Sequence, residues 1–438
     1  MNLRSHPYES YRASNSEWVD QTPSEWQEKR VKDLFRLVTD KAPVDNDHEL
    51  LSLYASIGVR PRKDLEARGN KASSTDGYWL VKKGDIVVNK LLAWMGSVGL
   101  SEYSGVTSPA YDVLRKTSKF VDVRYFSYLF RTEIAKQIFK RNSRGIMDMR
   151  LRLYFDKLGA ITVPVPPFST QQAIATYIDT KTAQIDRQID LLGQKAAQYG
   201  KLKQSLIAET VTRGVDKSVP MKDSSIEWIG EVPAHWELKK ISQSFNQIGS
   251  GTTPKSDVGI YYENGTTNWI NTGDLNDGVL LSCKRTISNR ALQDYSLTIY
   301  PAGSLIVAMY GATIGKVAIS MIDGCTNQAC CVLNGSKKIS VGFLFYWLIS
   351  SRQFLISLSY GGGQPNISQD TIKNLRINSP SLQEQVAIVA FLDEKTAQMD
   401  RIITCINTKL EKLKDLRKAL INDVITGKIK VVSEGQAE

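Results

Sequence analysis

The sequence repeats itself, and this duplication constrains the fold more than any other feature. The segment EWVDQTPSEWQEKRVKDLF, which starts at Glu17, aligns without a gap with EWIGEVPAHWELKKISQSF, which starts at Glu227. Further along, TYIDTKTAQIDRQID from Thr176 aligns with AFLDEKTAQMDRIIT from Ala390 at nearly the same offset. Two tryptophans and a proline at matched spacing indicate an internal repeat. We therefore expect two halves with the same order of elements.

Between the matched ends the halves diverge. Two weak similarities remain: VKKGDIVVNK from Val81 with PAGSLIVAMY from Pro301, and GVTSPA from Gly105 with GCTNQA from Gly324. Short apolar runs bounded by Gly, Pro, Asn and Asp are typical of strands, and longer helical runs follow them in both halves. We call residues 1–165 and 216–378 the first head and the second head, and we predict a mixed α/β domain with a curved sheet for each.

A long amphipathic helix is predicted after each head, over about residues 169–212 and at the matched place in the second half. Each would have about 44 residues and a length of roughly 65 Å. Ser381-Leu-Gln-Glu384 fits a capping box, and Ser169-Thr-Gln-Gln172 is a weaker version. Apolar residues at steps of three and four predict a packed seam in each helix: Ile185, Ile189, Leu192, Ala196, Tyr199, Leu202 and Leu206, matched by Met399, Ile403, Ile406, Leu410, Leu413, Leu416 and Leu420.

The economical partner for each seam is the other helix. Equivalent helices of equivalent halves would pack as an antiparallel coiled coil related by a pseudo-two-fold axis. The predicted fold class is therefore α+β, with two mixed α/β heads separated by a pair of long antiparallel helices. The predicted boundaries are residues 1–165, 166–215, 216–378 and 379–438.

Charge and cysteine usage narrow the possible partners. Lys and Arg number 56 against 45 Asp and Glu, a net charge of +11 that favours a polyanionic partner. The five cysteines and three histidines show no metal-ligand spacing, which argues against a disulfide framework and a structural zinc site. No apolar run is long enough to span a bilayer. These features predict a cytoplasmic protein with reduced thiols.

Motifs for catalysis are weak. Gly311-Ala-Thr-Ile-Gly315-Lys316 has one residue too few for a phosphate-binding loop and lacks the following Ser or Thr, so we interpret it as a turn. The PVPPF run lacks the Asn or Asp of an amino-group methyltransferase motif, and we interpret it as a hinge. The recurring Asp179/Asp393 and Asp186/Asp400 lie on the helices beside Lys and Arg, where ion pairs or partner contacts are expected. The sequence therefore predicts no enzyme and no cofactor of its own.

Signals for nucleic-acid binding are more numerous. Basic residues cluster at the end of the first head, and glycine-containing loops of the second head carry side chains suited to base edges. Arg and Lys can recognise guanine, and Asn and Gln can recognise adenine, in the major groove. Each loop could equally be an ordinary solvated turn. The candidate DNA-binding residues are Lys90, Lys140, Arg141, Arg144, Arg150, Arg152, Thr253, Lys255, Asn271, Tyr310, Lys316, Gln364 and Asn366.

The chain resembles the specificity subunit of Type I restriction–modification systems. The resemblance covers essentially the whole chain: two divergent heads, each entered by a Pro-x-x-Trp motif and followed by a Pro-rich hinge and a long helix. The helix openings PPFSTQQAIATYID and SPSLQEQVAIVAFLD are similar to the family's repeated conserved region. Gln171 and Gln385 hold the family's glutamine and Glu384 its glutamate, whereas Thr170 replaces the glutamate in the first copy.

The resemblance implies that each head recognises one half of a split DNA site. It also implies that the helices set the spacer and dock two modification subunits, which carry S-adenosylmethionine and methylate adenine. Restriction subunits, with ATP and Mg, would complete the nuclease. Unlike heads predict an asymmetric bipartite target.

Two other classes are weighed against this one. A self-contained methyltransferase would need cofactor and catalytic motifs that this sequence lacks. A coiled-coil scaffold or adaptor that binds protein would show no salt-sensitive, sequence-selective DNA binding. A DNA-binding measurement therefore discriminates the scaffold from the specificity subunit.

Overall fold

The computed structural model describes residues 7–54, 57–64, 75–146, 150–226, 228–359 and 365–431. The chain forms two compact units. The first comprises Met1–Leu192 with Lys409–Glu438, and the second comprises Gly193–Thr408. The first head therefore lies in the first unit and the second head in the second.

The first unit is built on an antiparallel sheet of four strands in the order β4-β11-β8-β9, with small two-stranded ladders around it. Its strands are β1 (Tyr11–Ala13), β2 (Gln21–Pro23), β3 (Gln27–Arg30), β4 (Phe35–Leu37), β5 (Leu51–Tyr54), β6 (Gly58–Pro61), β7 (Trp79–Val81), β8 (Ile86–Asn89), β9 (Val98–Leu100), β10 (Gly105–Thr107), β11 (Tyr111–Lys116) and β12 (Thr162–Val165).

Among its described residues, the first unit has four short α-helices and the start of a long helix. The short ones are α1 (Val31–Leu34), α2 (Val123–Leu129), α3 (Glu133–Asn142) and α4 (Phe155–Leu158), and the long helix α5 (Phe168–Arg213) follows β12. Asp122 and Thr132 cap α2 and α3 by accepting a backbone N–H in the first turn. The long helix starts directly after Pro167, at the end of the predicted proline-rich hinge.

The second unit repeats the plan with an added edge strand. Its main sheet has the order β16-β23-β20-β21-β18, in which only β18 pairs parallel to its neighbour. Its strands are β13 (Met221–Asp223), β14 (Glu231–Pro233), β15 (Glu237–Lys240), β16 (Phe245–Ser250), β17 (Thr267–Ile270), β18 (Gly278–Leu280), β19 (Thr286–Ile287), β20 (Leu305–Ala308), β21 (Val317–Ser320), β22 (Cys325–Thr326), β23 (Cys330–Ser336) and β24 (Arg376–Ser379).

The helices of the second half are α6 (Asn289–Asp294), α7 (Val341–Ser350), α8 (Arg352–Ser357), α9 (Gln369–Asn374) and the long helix α10 (Leu382–Ile425). Here α7, α8, α9 and α10 follow the order of α2, α3, α4 and α5, whereas α6 has no counterpart among the described helices of the first half. The mixed α+β class with two long helices is confirmed.

Strand register shows that the heads are copies of one scaffold. Ile86 pairs with Leu114 in the first head, and Leu305 pairs with Leu333 in the second. The separation in the chain from Ile86 to Leu305 equals that from Leu114 to Leu333. The predicted match of Gly105 with Gly324 has this same separation. The match of the run from Val81 with that from Pro301 is wrong by one position, because the short apolar stretches of β8 and β20 resemble each other in more than one register.

Each unit contains one half of each long helix, packed antiparallel. In the first unit Arg417 of α10 forms an ion pair with Asp186 of α5 at 2.9 Å. In the second unit Lys203 of α5 pairs with Asp400 of α10 at 2.7 Å. Ion pairs were predicted for the recurring Asp186 and Asp400, and the structure forms them between the two helices rather than within one.

The predicted seam is wrong at one position in each copy. Leu202 and Leu416 are 52% and 49% exposed. The next residues, Lys203 and Arg417, are less exposed and face the partner helix through their ion pairs. A spacing of 3.6 residues per turn places a step of four, not three, after Tyr199. The apolar pattern misled because a charged pair occupies the seam there.

The helix ends complete the cores of the heads. Val424 and Ile425 at the end of α10 are fully buried with Trp26 and Phe126 in the first unit. The C-terminal end of α5 supplies Ile207 and Val211 to the core around Trp236 in the second unit. Tyr125 donates from its hydroxyl to the carbonyl of Ile425 at 3.2 Å, which uses one of the free carbonyls at the helix end.

Candidate nucleic-acid interface

A buried glutamine anchors each head to its long helix. Gln171 accepts from the N–H of Asp122 at 2.9 Å and donates to the carbonyl of Pro166 at 2.8 Å. Gln385 accepts from the N–H of Ser340 at 2.6 Å and donates to the carbonyl of Pro380 at 3.0 Å. Both side chains thereby tie the N-cap of a head helix to the hinge, which holds each head at a defined angle on its helix.

The start of each helix departs from the predicted caps. Ser381 accepts from the N–H of Glu384 at 3.3 Å, as predicted. The Glu384 carboxylate, however, does not complete a capping box. It accepts from Trp236 Nε1 at 3.1 Å and lies 2.9 Å from His235 Nε2. Ser169 lies inside the first turn of α5, so the weaker capping prediction there is wrong.

A second matched contact fixes each head. The hydroxyls of Tyr128 and Tyr346 donate to Asp179 and Asp393 at 2.5 and 2.6 Å. Burial raises the pKa of both tyrosines, and the adjacent carboxylates raise it further. Arg124 adds an ion pair to Asp179 at 3.0 Å. The recurring Asp179 and Asp393 thus serve the junction between helix and head.

The candidate DNA-binding loops leave the main sheet at equivalent places. After β8, the N–H of Lys90 donates to the backbone carbonyl of Ala110 at 3.2 Å, and the N–H of Leu153 donates to the backbone carbonyl of Lys90 at 2.9 Å. The same two bonds recur after β20. The N–H of Met309 donates to the carbonyl of Ala329 at 2.8 Å, and the N–H of Ile367 donates to the carbonyl of Met309 at 2.9 Å. Each head therefore places a loop after its central strand beside an extended segment that precedes β12 or β24.

In the first head, four of the basic candidates already have local contacts. Lys90 pairs with Asp112 at 3.5 Å, where burial raises the pKa of the carboxyl and the lysine opposes that rise. Lys140 lies over the Trp94 ring at 5.1 Å. The two arginines pair at the surface: Arg141 with Glu17 at 2.8 Å, and Arg144 with Asp156 at 3.1 Å. Such exposed pairs are weak and can exchange for a phosphate.

Arg150 and Arg152 differ from the other basic candidates of the first head in their contacts. Both are exposed, and within the described ranges neither forms an ion pair with a carboxylate. Two backbone hydrogen bonds of 2.9 Å join Arg152 to Arg144. The structure therefore brings Arg144, Arg150 and Arg152 together beside Lys90.

In the second head the structure joins Tyr310 and Asn366. A β-bridge links these two residues, and both are exposed. Lys316 is half-buried at the end of the turn formed by a short 3-10 helix, Gly311–Thr313. That element confirms the interpretation of the Gly311-to-Lys316 segment as a turn.

The remaining candidates have separate settings. Thr253 donates to Gln328 at 2.5 Å, and the backbone N–H of Lys255 donates to the Tyr295 hydroxyl at 3.0 Å. Asn271 caps a 3-10 helix, and its amide donates to the carbonyl of Trp269 at 3.0 Å. Gln364 lies outside the described residues.

Two glutamines that the sequence search missed join this surface. Gln328 contacts Thr253, and Gln369 accepts from the Ser250 hydroxyl at 3.1 Å while donating to the carbonyl of Ile248 at 3.1 Å. Gln369 follows Asn366 closely in the chain, which was the one available signal. The sequence around Gln328 gave no signal for a place on this surface, because its contact Thr253 is distant in the chain.

Within the described part of the chain, no group of three His, Cys, Asp or Glu side chains could hold a metal ion. The helices in that part include none with the length and apolarity needed to cross a membrane. Burial raises the pKa of Cys325 and Cys331 to about 12, so these thiols are structural.

Comparison with known proteins decides the family. The model for the Type I restriction modification DNA specificity domain matches residues 23–197 and again residues 233–414. The chain belongs to this family. The two matches fall on the two halves of the duplication, and each includes most of one head and a large part of its long helix.

Curated relatives and solved structures agree. The MjaVIII specificity subunit of Methanocaldococcus jannaschii is 25% identical over 426 residues, which cover 93% of this chain and 94% of that protein. The EcoBI specificity subunit of Escherichia coli is 23% identical over 81% of this chain and 75% of its own length. A chain of a solved type I R-M system has a TM-score of 0.73 over 93% of this chain and 99% of its own, at 15% identity.

A further solved structure, the HsdS subunit from Thermoanaerobacter tengcongensis, has a TM-score of 0.59 at 15% identity, covering 93% of this chain and 98% of its own. These two likenesses show a shared fold. Family membership gives this chain a DNA sequence-specificity role in a Type I restriction–modification system. Specificity subunits are non-catalytic and use no cofactor of their own, so the chain acts by binding DNA and other subunits of its system.

Proposed function

We propose that each head recognises one half of an asymmetric bipartite DNA site, and that the long helices set the spacer between the halves. Two modification subunits dock on the chain and methylate adenine within the site, and restriction subunits complete the nuclease. The functional segments are residues 1–165 and 216–378 as recognition domains and residues 166–215 and 379–438 as helical spacers. Because its ligand is DNA, the chain works in the cytoplasm.

One observation carries the proposal: the scaffold is duplicated while the surface loops are not. The sheet register, the glutamine anchors and the tyrosine–aspartate contacts recur. At the loop positions the first head presents Arg150 and Arg152, whereas the second presents Tyr310 and Asn366. Two heads with the same scaffold and different polar loop residues are suited to recognising two different DNA sequences.

The helices also support partner docking. Leu202 and Leu416, at matched positions, are each about half exposed, and Leu191 is 55% exposed. A partner docked on the helices would bury the apolar surface of these leucines. The repetition of Leu202 by Leu416 favours two copies of one partner.

The experiment is a genome-wide map of methylated adenines. A host without other adenine methylation expresses this chain with the modification subunit encoded beside it, and deletion of this chain is the control. We expect a split motif that depends on this chain. If both proteins are soluble and associated but no such motif appears, the chain is a scaffold instead.

Two finer measurements test the heads separately. Charge reversal at Arg150 and Arg152 is expected to weaken DNA binding and to lower the slope of affinity against salt concentration. Replacement of residues 1–165 by the head of another family member is expected to change one half of the motif and to keep the spacer. A motif altered in both halves contradicts independent heads.

A further inference from the structure

The two heads can be compared residue by residue at the loop after the central strand. Leu153 and Ile367 make the same backbone bond to that loop, and both are fully buried. Their separation in the chain is the one that also relates β12 to β24 and Gln171 to Gln385. Arg152 and Asn366, the residues immediately before them, therefore hold the same position in their heads.

The local backbone directs both side chains outward. Successive residues of an extended segment point to opposite faces. Because Leu153 and Ile367 point into the core, Arg152 and Asn366 point away from it, and both are exposed. A backbone bridge holds each of them, Arg152 to Arg144 and Asn366 to Tyr310. The two side chains are therefore presented from a fixed backbone rather than from a free loop tip.

The surroundings of the two positions differ in charge. Arg152 lies with Arg150 and Arg144, so this position of the first head is cationic. Asn366 instead bridges to the uncharged Tyr310, and Gln369, three residues later, accepts from the Ser250 hydroxyl. Arg pairs with guanine O6 and N7, whereas Asn pairs with adenine N6 and N7.

We propose that Arg152 and Asn366 are matched specificity-determining residues: Arg152 selects guanine in the half-site of the first head, and Asn366 selects adenine at the equivalent place in the half-site of the second. This inference rests on the proposed function, because it assumes that each head recognises one half-site. It adds the base that each head prefers at one position.

The test is the adenine-methylation map repeated with variants of the full chain in its complex. Arg152→Asn is expected to change one base pair of one half-site from G·C to A·T, and Asn366→Arg to make the reverse change in the other half-site. Preference for the original base should fall about 10- to 100-fold in each case. Arg152→Lys and Asn366→Gln keep the donor and acceptor types and should keep the motif.

Arg30→Asn is the charge control. Arg30 is exposed at the end of β3 and pairs with Asp33 at 3.6 Å, so this variant removes the same charge away from the loops. It should leave both half-sites unchanged. If Arg152→Asn and Asn366→Arg also leave both unchanged while the wild-type chain shows a split motif, the inference fails and the proposed function stands. If the wild-type chain gives no split motif, the proposed function itself fails.

Discussion

Replacing the buried Gln171 by methionine tests whether the glutamine anchors hold the heads on their helices. Gln171 is 2% exposed and accepts from the N–H of Asp122 while donating to the carbonyl of Pro166. Methionine has a similar volume but offers neither group. The variant therefore leaves a backbone donor and a backbone acceptor buried without these partners. Gln172, the next residue of α5, is exposed and provides a matched control.

The expected loss follows from the number of orphaned groups. A buried polar group that loses its partner costs about 1–3 kcal/mol, and two groups with partial relaxation give about 2–4 kcal/mol in the free energy of unfolding. For a unit of this size that corresponds to a fall in Tm of roughly 5–15 °C. Gln172→Met changes an exposed side chain and should shift stability by less than about 0.5 kcal/mol.

Differential scanning calorimetry of the two variants and the wild-type chain measures this difference, and hydrogen exchange locates it. The amide of Asp122 should exchange faster in Gln171→Met than in Gln172→Met, because only the first loses its acceptor. Gln385→Met should repeat the effect in the second unit, at the amide of Ser340. Equal Tm values for Gln171→Met and Gln172→Met would refute the reasoning, since the anchor would then contribute nothing.

Three other sites give predictions of the same kind. Gly427→Ala should destabilise the first unit by about 1–3 kcal/mol in thermal melts, because Gly427 has a φ of 77° and a Cβ there would lie 2.8 Å from Pro23. Gly193 lies in a helix with open space around it, so Gly193→Ala should instead stabilise the chain by up to about 1 kcal/mol. Burial gives Tyr128 and Tyr346 a higher pKa in the folded chain, so their stabilisation is complete below about pH 10 and is lost as the pH rises further. Urea titrations of Tyr346→Phe should show a shallower alkaline fall, and an unchanged slope would count against this. With Ellman's reagent at pH 8, the exposed Cys405 should react on the order of 1000-fold faster than Cys325 or Cys331, and Cys405→Ser should remove the fast phase.

Elements that depend on local pattern and on repetition follow from the sequence alone. The apolar periodicity predicted a helix over 169–212, and α5 runs from Phe168 to Arg213. The duplication predicted that the heads share a scaffold, because two segments with matched tryptophans and prolines fold by the same local and packing rules. Residue type was enough to select Arg152 and Asn366 as candidates, although their equivalence is visible only in the fold.

Which distant groups meet could be seen only in the folded chain. The end of α10 completes the core around Trp26, and Glu384 binds Trp236 rather than its own helix cap. Leu202 and Leu416 are exposed because the next residues, Lys203 and Arg417, face the partner helix through ion pairs that the apolar pattern does not show. Periodicity identifies a helix face, whereas the partner of that face is set by contacts between residues far apart in the chain.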